Sequence, residues 1–328
     1  MICVWLDLKL VKKMRLKKKI YIAGHEGMVG SACYKKLENN PNYELVGKNS
    51  KELDLRNFNL LNYFLLSEKP DVIINAAAKV GGIHANERYP FEFISENLII
   101  QYNLIKLAND LNIKEFIFLG SSCIYPKFSK QPIEEDQLLK SSLEATNQWY
   151  ALAKITGVKM IEALKKQYRR NYVSLMPTNL YGPNDNFDLK SSHVIPALIR
   201  KFHEAKVQNK EYVDIWGTGA PYREFLHVDD LADAIVFCLG KKFKYDLYNI
   251  GFGEEISISN LAKLVQSIVS YNGKIRFNSK MPDGTPRKLL DSSRFNNLGW
   301  KPKIKLDEGI RKTYKWFLEN NVLDFIDK

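Results

Sequence analysis

Three glycines, Gly24, Gly27 and Gly30, follow an apolar tetrapeptide and lead into a segment with helical periodicity. Glycine permits a tight turn between strand and helix and lets the backbone approach a phosphate closely. The N-terminus of the helix adds unpaired amide groups and the positive end of its dipole. The spacing is not Gly-x-Gly-x-x-Gly, but the strand–turn–helix context is the one that dinucleotide sites use. The motif therefore predicts a cofactor-binding turn that contains these glycines together with Met28 and Val29.

The fold class follows from an alternation of two kinds of segment. Five apolar runs have the length of buried strands: Ile20–Ala23, Tyr43–Val46, Val72–Asn75, Phe116–Leu119 and Tyr172–Leu175. Segments with helical period lie between them, among them Val29–Leu37 and Phe93–Leu111. Strands that alternate with helices predict an α/β fold with a doubly wound parallel sheet of the Rossmann type.

The regular alternation of strands and helices ends after about Asn186. Three amphipathic helices separated by turn-rich loops are predicted there, at Pro196–Lys206, Val228–Leu239 and Ile258–Val269. We therefore expect a dinucleotide-binding domain at 19–187, to which the chain crosses back from later segments, and a smaller, mainly substrate-binding region at 188–328. Residues 1–18 are predicted to form a poorly ordered N-terminal extension.

Composition narrows the function classes. The formal net charge is +12, which suits an enzyme whose cofactor and substrate both carry phosphates. The basic run at 12–19 has no interleaved aromatic residues, so we expect no nucleic-acid partner. Ile2–Leu10 is too short to span a bilayer, so we expect no membrane partner. The four cysteines have no paired spacing, which argues against a metal cluster or a disulfide framework and favours the cytoplasm.

The end of the second strand discriminates between cofactors. NAD sites tend to place an acid there for the ribose 2′-hydroxyl, whereas this strand ends in Lys48 with no acid. A lysine would attract a 2′-phosphate, so NADP(H) is favoured. The alternative is that Lys48 is an ordinary surface lysine. Asp54 and Leu55, a few residues on, are predicted to bind the adenine.

The catalytic prediction combines three residues. Tyr150 and Lys154 lie one helical turn apart on the same face. A tyrosine can give a proton to a carbonyl oxygen, and a nearby ammonium is expected to lower the pKa of the phenol. Ser121 follows the fourth strand, at the sheet edge where ligands of doubly wound folds bind. A glycine turn, this serine and Tyr-x-x-x-Lys, in this order, resemble the short-chain dehydrogenase/reductase family.

Longer blocks narrow the resemblance. They occur, in the same order, at 76–83, 120–126, 177–183, 192–196, 223–230 and 283–288. These blocks resemble GDP-L-fucose synthases, a family within the extended short-chain dehydrogenases/reductases, and the likeness runs from about Lys19 to the C-terminus. It implies NADPH-dependent conversion of GDP-4-keto-6-deoxy-mannose to GDP-L-fucose by epimerisation at C3 and C5 and reduction at C4. It also implies a homodimer.

The same resemblance assigns the proton-transfer residues for epimerisation. Cys123 is expected to be the base and His193 the acid, because inversion needs proton removal on one face of the sugar and return on the other. If the strand end is extended, Ser121 and Cys123 point the same way. Asn97 falls where the wider family uses an asparagine to position the catalytic lysine.

Substrate-binding residues are expected around the diphosphate, the sugar and the base. Arg223 can clamp a diphosphate in a bidentate manner. The remaining expected residues are Asn179, Lys201, Trp216 and Lys288.

Three alternatives stay open. The first is a GDP-4-keto-6-deoxy-heptose C4 reductase of surface polysaccharide synthesis, with or without epimerisation. The second is a sugar-nucleotide 4-epimerase that retains NAD, against which Lys48, Cys123 and His193 all argue. The third is a non-enzymatic binding protein on the same fold.

Overall fold

The computed structural model describes residues 17–281, 283–320 and 322–323. Residues 1–16, most of the predicted N-terminal extension, lie outside this part of the chain. Of the helices described, none is long and apolar enough to cross a membrane.

The chain alternates strands and helices through its first half. The strands are β1 Lys18–Ala23, β2 Tyr43–Val46, β3 Val72–Asn75, β4 Glu115–Leu119, β5 Asn171–Pro177, β6 Asn179–Tyr181, β7 Tyr212–Trp216, β8 Tyr222–His227, β9 Leu247–Ile250, β10 Glu255–Ser257, β11 Lys274–Asn278 and β12 Arg287–Lys288. The helices are α1 Met28–Leu37, α2 Phe58–Glu68, α3 Ile83–Arg88, α4 Pro90–Asp110, α5 Gln148–Tyr168, α6 Val194–Val207, α7 Val228–Cys238, α8 Ile258–Val269, α9 Ser293–Asn296 and α10 Leu306–Glu319. The five predicted strands and five predicted helices all occur, with ends that differ by three residues or fewer.

The large sheet has six strands in the order β2-β1-β3-β4-β5-β9, and every neighbouring pair is parallel. The prediction of a doubly wound α/β fold is therefore confirmed. Helices cover both faces, which is why β3 is buried at all four positions. Tyr21 and Ile73 pack with the core under α4 and α5, whereas Ile20 and Ile22 pack with the core under α1 and α7.

The later part of the chain builds a second core. Strands β10, β8 and β12 form a small sheet with β6 paired to β8, and β7 pairs with β11. Helices α6, α8 and α10 pack around these strands through Phe202, Val265 and Ile310. The chain then returns to the large sheet: α7 packs on α1, and β9 becomes the edge strand beside β5.

The carboxyl ends of β1, β3, β4 and β5 meet at one edge of the large sheet, which is where ligands of this fold class bind. The glycine turn after β1 is closely packed there. Gly24 has φ +81°, and a Cβ at Gly30 would lie 2.0 Å from the Gly24 carbonyl oxygen. The turn therefore requires both glycines.

Helix α5 approaches this edge unusually closely. A Cβ at Gly157 would lie 2.4 Å from the ring of Phe118 on β4, so only glycine permits the observed spacing. On the other side, the amide of Gln101 on α4 donates to the carbonyl of Ala153 on α5. These two contacts set the position of the Tyr150–Lys154 turn relative to the end of β4.

Candidate active site

A cavity of about 530 Å³ lies between the carboxyl edge of the large sheet and the later part of the chain, which forms the second core. It collects most of the residues that the sequence singles out: Gly27, Met28, Val29, Ser121, Cys123, Tyr150, Lys154, Asn179, His193, Lys201, Trp216, Arg223 and Lys288. Asn147, Glu144 and Asp283 also line it. Of these three, Asp283 lies in a block that resembles the family, and Asn147 lies one helical turn before Tyr150, so both had a sequence signal.

The cofactor end of the cavity fits a dinucleotide. The N-terminus of α1 begins after Gly27, which has no side chain to cap it, so its free amides are available to a pyrophosphate. The side chain of Asn75, in the cavity wall, is buried and has no hydrogen-bond partner. These features are what a closely bound, polar cofactor requires.

The end of β2 differs from the sequence interpretation. Lys48 Nζ lies 2.8 Å from the Glu52 carboxylate, and Glu52 also accepts a hydrogen bond from the Asn49 amide. The view that no acid stands here is therefore wrong, because the turn after β2 brings Glu52 back to Lys48. Asp54 is likewise paired, with Arg56 at 2.9 Å. The pair at Lys48 is exposed, so it competes only weakly with an incoming phosphate.

The expected proton donor, Tyr150, hydrogen-bonds to Ser121 at the end of β4. Burial raises the pKa of Tyr150 well above its ordinary value, and the charge of Cys123 adds to this, while the hydrogen bond with Ser121 opposes it. The expectation that the pKa of Tyr150 is lowered is therefore wrong, because burial dominates. A phenol that stays protonated is still the form that can give a proton to a ketone.

Lys154 is buried beneath Tyr150. Its Nζ donates to the Leu119 carbonyl at 2.8 Å and lies 5.0 Å from the centre of the Phe118 ring. Burial lowers the pKa of Lys154 to about 7. The side-chain amide of Asn97 forms hydrogen bonds with the backbone of Lys79 and Phe93, and Gln101, one helical turn later on α4, bonds the helix that carries Lys154.

Cys123 does not lie in an extended strand end. Ser121 is extended, with φ −159° and ψ 147°, but a short 3₁₀ turn begins at Ser122 and contains Cys123. The Ser121 hydroxyl caps this turn by accepting a hydrogen bond from the Cys123 amide at 3.2 Å. The argument from strand alternation was therefore wrong, although both side chains line the cavity. Two donors approach Sγ, Lys288 Nζ and Asn147 Nδ2, each at 3.5 Å.

His193 reaches the cavity from the loop before α6. The amide of Gly82 donates to the Ser191 carbonyl at 2.8 Å and ties this loop to the segment after β3. The imidazole is open to the cavity, and the protein around it excludes much of the bulk water. This desolvation, reinforced by the charge of Lys288, lowers the pKa of His193.

The far end of the cavity carries cations and an aromatic ring. Lys201 Nζ lies 5.5 Å from the centre of the half-exposed Trp216 ring. Arg223 is held by the carbonyls of Tyr222 and Asp283, at 2.8 and 3.4 Å.

Two more side chains shape this end. The Asp283 carboxylate closes the neighbouring turn by accepting from the Thr218 amide and hydroxyl, at 2.7 and 2.8 Å. The amide of Asn179 donates to the Glu224 carbonyl at 2.8 Å, which leaves its oxygen for a ligand. Within the described residues, no cluster of three His, Cys, Asp or Glu could hold a metal ion.

Comparisons with known proteins agree with this geometry. The model of the NAD dependent epimerase/dehydratase family matches residues 20–251. GDP-L-fucose synthase 1 of Arabidopsis thaliana is 54% identical, over 92% of this chain and 94% of that protein. The structure of a GDP-6-OMe-4-keto-L-xylo-heptose reductase from C. jejuni has a TM-score of 0.88 at 36% identity, over 94% of this chain and 99% of that one. A GDP-L-fucose synthetase from Naegleria fowleri bound to NADP has a TM-score of 0.85 at 26% identity, over 94% and 95%.

Replacement of Lys154 by Met should change how stability depends on pH. Burial lowers the pKa of Lys154 to about 7 in the folded protein, whereas in the unfolded chain we expect the ordinary pKa of 10.5. The destabilisation caused by the buried charge is therefore full below pH 7 and is lost as the pH rises. Between about pH 7 and pH 9, wild type should gain about 1–3 kcal/mol relative to Lys154→Met. Urea unfolding of the ligand-free proteins measures this gap, and Lys159→Met, exposed on the same helix, is the control that should show none.

Lys48→Met should weaken the binding of NADPH and leave that of NADH unchanged, because only NADPH carries the 2′-phosphate. The expected loss is about tenfold, the size of one exposed charge-assisted contact. Calorimetric titration of the ligand-free protein measures both affinities. Lys51→Met, in the same turn, is the matched control and should bind both cofactors as wild type does. Equal losses for NADPH and NADH would assign Lys48 to the stability of the turn instead.

Proposed function

The chain belongs to the NAD dependent epimerase/dehydratase family, and on that premise we propose that it converts GDP-4-keto-6-deoxy-mannose to GDP-L-fucose with NADPH. The observation that carries the proposal is the meeting of two sets of residues in one cavity. Ser121, Tyr150 and Lys154 are equipped for ketone reduction, and Cys123 and His193 for proton transfer at carbon.

Reduction requires a proton donor beside the C4 oxygen. When bound, NADPH supplies the hydride, and the glycine turn and Lys154 hold it. Tyr150 gives its proton to the C4 oxygen, and Ser121 hydrogen-bonds the same oxygen and orients the carbonyl. The raised pKa of Tyr150 keeps the phenol protonated until negative charge develops on that oxygen.

Epimerisation uses the acidity that the C4 ketone confers on C3 and C5. Cys123 removes a proton from the carbon, and the electron pair moves into the enolate. His193, once protonated from solvent, donates that proton to the opposite face of the carbon and becomes neutral, which inverts the centre. Burial lowers the pKa of His193 and favours the neutral imidazole, whereas the developing enolate charge favours its protonation.

The nucleotide end of the substrate is recognised by charge and stacking. Arg223 and Lys201 face the diphosphate, Trp216 packs against the base or sugar, and the oxygen of Asn179 accepts a hydrogen bond. Lys288, beside Cys123, faces the sugar.

A second candidate keeps this machinery and changes the sugar. The heptose reductase from C. jejuni shares the fold along nearly the whole chain, which favours a GDP-4-keto-6-deoxy-heptose as the alternative substrate. An NAD-retaining 4-epimerase is the third candidate, and it would consume no NADPH.

We also propose that the enzyme is a cytoplasmic homodimer. Ile99 and Tyr102 on α4 and Trp149 and Leu152 on α5 are exposed apolar residues on two helices that pack side by side. A second copy of the chain is the partner that the family resemblance implies for this face, and sedimentation of the purified protein as a monomer would contradict it. Cys33, Cys123 and Cys238 are all free thiols, as a reducing compartment requires.

The first experiment is turnover of GDP-4-keto-6-deoxy-mannose with NADPH in deuterium oxide, with the product analysed by NMR. Deuterium at C3 and C5 together with a reduced C4 in the L-sugar is the expected result. Reduction without deuterium, or no turnover, would direct the assay to the heptose. Turnover without net oxidation of NADPH would favour the 4-epimerase.

Two variants separate the chemical steps in the same assay. Cys123→Ser should abolish deuterium uptake and leave slow reduction of the unepimerised ketone, and Tyr150→Phe should do the reverse. The expected losses are about 100-fold or more, the usual contribution of a general acid or base. If Cys123→Ser removed reduction and exchange equally, this division of labour would be wrong.

A further inference from the structure

The thiol of Cys123 has an ammonium group beside it that comes from the other region of the protein. Lys288 Nζ lies 3.5 Å from Sγ, although the two residues are 165 positions apart in the chain. Asn147 Nδ2 approaches the same sulfur at 3.5 Å from the turn that precedes α5. Both distances are within hydrogen-bonding range for sulfur.

The backbone on both sides of Lys288 is fixed. Strand β12 pairs in parallel with β8, so that Lys288 stands opposite Arg223. The amide of Leu289 donates to the side chain of Gln131 at 2.9 Å, and the amide of Leu290 donates to the buried carboxylate of Glu224 at 3.0 Å. The ammonium therefore extends from a held strand, not from a loose loop.

Other ionisable groups also lie near the sulfur. The charge of Cys123 raises the pKa of both Arg223, on β8, and Tyr150, on α5, although burial is the largest influence on each. A small cavity beside the thiol is also lined by Lys127 and Glu144, which pair with each other at 3.7 Å.

Lys288 itself forms no ion pair with a carboxylate anywhere in the described part of the chain. A cation without an anionic partner in a cleft of reduced dielectric is costly, and an adjacent thiolate offsets that cost. The thiolate is also the form of cysteine that can accept a proton.

We propose that Lys288 is a positioning residue for the base: its ammonium forms an ion pair with the Cys123 thiolate and holds the sulfur ready to remove the sugar proton. This assignment rests on the proposed function, since it gives Cys123 the role of base. When the thiolate takes the proton from carbon, the C–H electron pair becomes the enolate and the sulfur becomes a neutral thiol. The ammonium is then next to the anionic sugar, so its charge is used in both states.

The same ammonium also acts on the acid. Burial and then the charge of Lys288 lower the pKa of His193. Lys288 therefore lies near both proton-transfer residues: its Nζ is 3.5 Å from the Cys123 sulfur, and its charge lowers the pKa of His193. Its removal should affect the two residues in a correlated way that loss of a substrate ligand would not produce.

Alkylation of the ligand-free protein by iodoacetamide near neutral pH tests the ion pair, with each cysteine followed by peptide mass spectrometry. Lys288→Met should slow the modification of Cys123 by about tenfold, and Lys288→Arg should restore most of the rate because it retains the charge. Cys33 and Cys238 are internal references, since both are buried in the core, at 0% and 2% exposure. Asn147→Ala, which removes a neutral donor, should slow Cys123 less than Lys288→Met does.

NMR titration of the His193 ring in the same proteins is the second measurement. In Lys288→Met the pKa of His193 should move upward, because a positive neighbour is removed. Unchanged alkylation of Cys123 together with an unchanged His193 titration would overturn the proposal and leave Lys288 as a substrate ligand only. Urea unfolding of each variant excludes general misfolding as the cause of a slower reaction.

These measurements use no sugar, so they separate this inference from the proposed function. If alkylation depends on Lys288 but the deuterium experiment fails, the ion pair stands and the substrate is a different one. If deuterium is incorporated but the rate of Cys123 alkylation does not depend on Lys288, the proposed function is supported and the proposal of an ion pair is wrong.

Discussion

The hydrogen bond from the buried ammonium of Lys154 to the Leu119 carbonyl joins the two elements that carry the reductase chemistry. Leu119 is the last residue of β4, two positions before Ser121, and Lys154 lies one turn after Tyr150 on α5. A donor that reaches the end of a central strand from a neighbouring helix requires the two to lie unusually close, and Gly157 against Phe118 permits this. The burial that makes the contact strong also lowers the pKa of Lys154 to about 7, so the fold is destabilised at a residue that is proposed to act in catalysis.

The second constraint is that the residues proposed for epimerisation come from two parts of the chain. Cys123 belongs to the edge of the large sheet, whereas His193 and Lys288 come from the segments that form the second core. The base is therefore complete only when β12 pairs with β8 and places Lys288 beside the sulfur.

The fold can be predicted from the sequence more completely than the site can. Apolar runs such as Val72–Asn75 and periodic segments such as Ile258–Val269 occur where they were expected, because both faces of the sheet are covered and the helices are amphipathic. The pairing of Lys48 with Glu52 was missed because it depends on the path of a turn, and local spacing alone does not determine that path. The 3₁₀ turn at Cys123 was missed for a similar reason: the strand ends at Leu119 as expected, but local spacing does not show that the backbone turns at Ser122, where the Ser121 hydroxyl caps the turn.

Electrostatics was the least predictable part, because a pKa depends on what surrounds the group in three dimensions. Tyr150 and Lys154 have the expected spacing in sequence. Burial nevertheless raises the pKa of Tyr150 and lowers that of Lys154, so it favours the neutral form of both groups. A cleft that disfavours charge in this way, and that nevertheless contains Arg223, Lys201 and Lys288, is suited to an anionic ligand. In the proposed mechanism, the diphosphate pairs with the outer two cations, Arg223 and Lys201, and Lys288 is left for the thiolate and the enolate. Substrate binding and proton transfer then depend on different positively charged residues, so the two functions do not compete for the same cation.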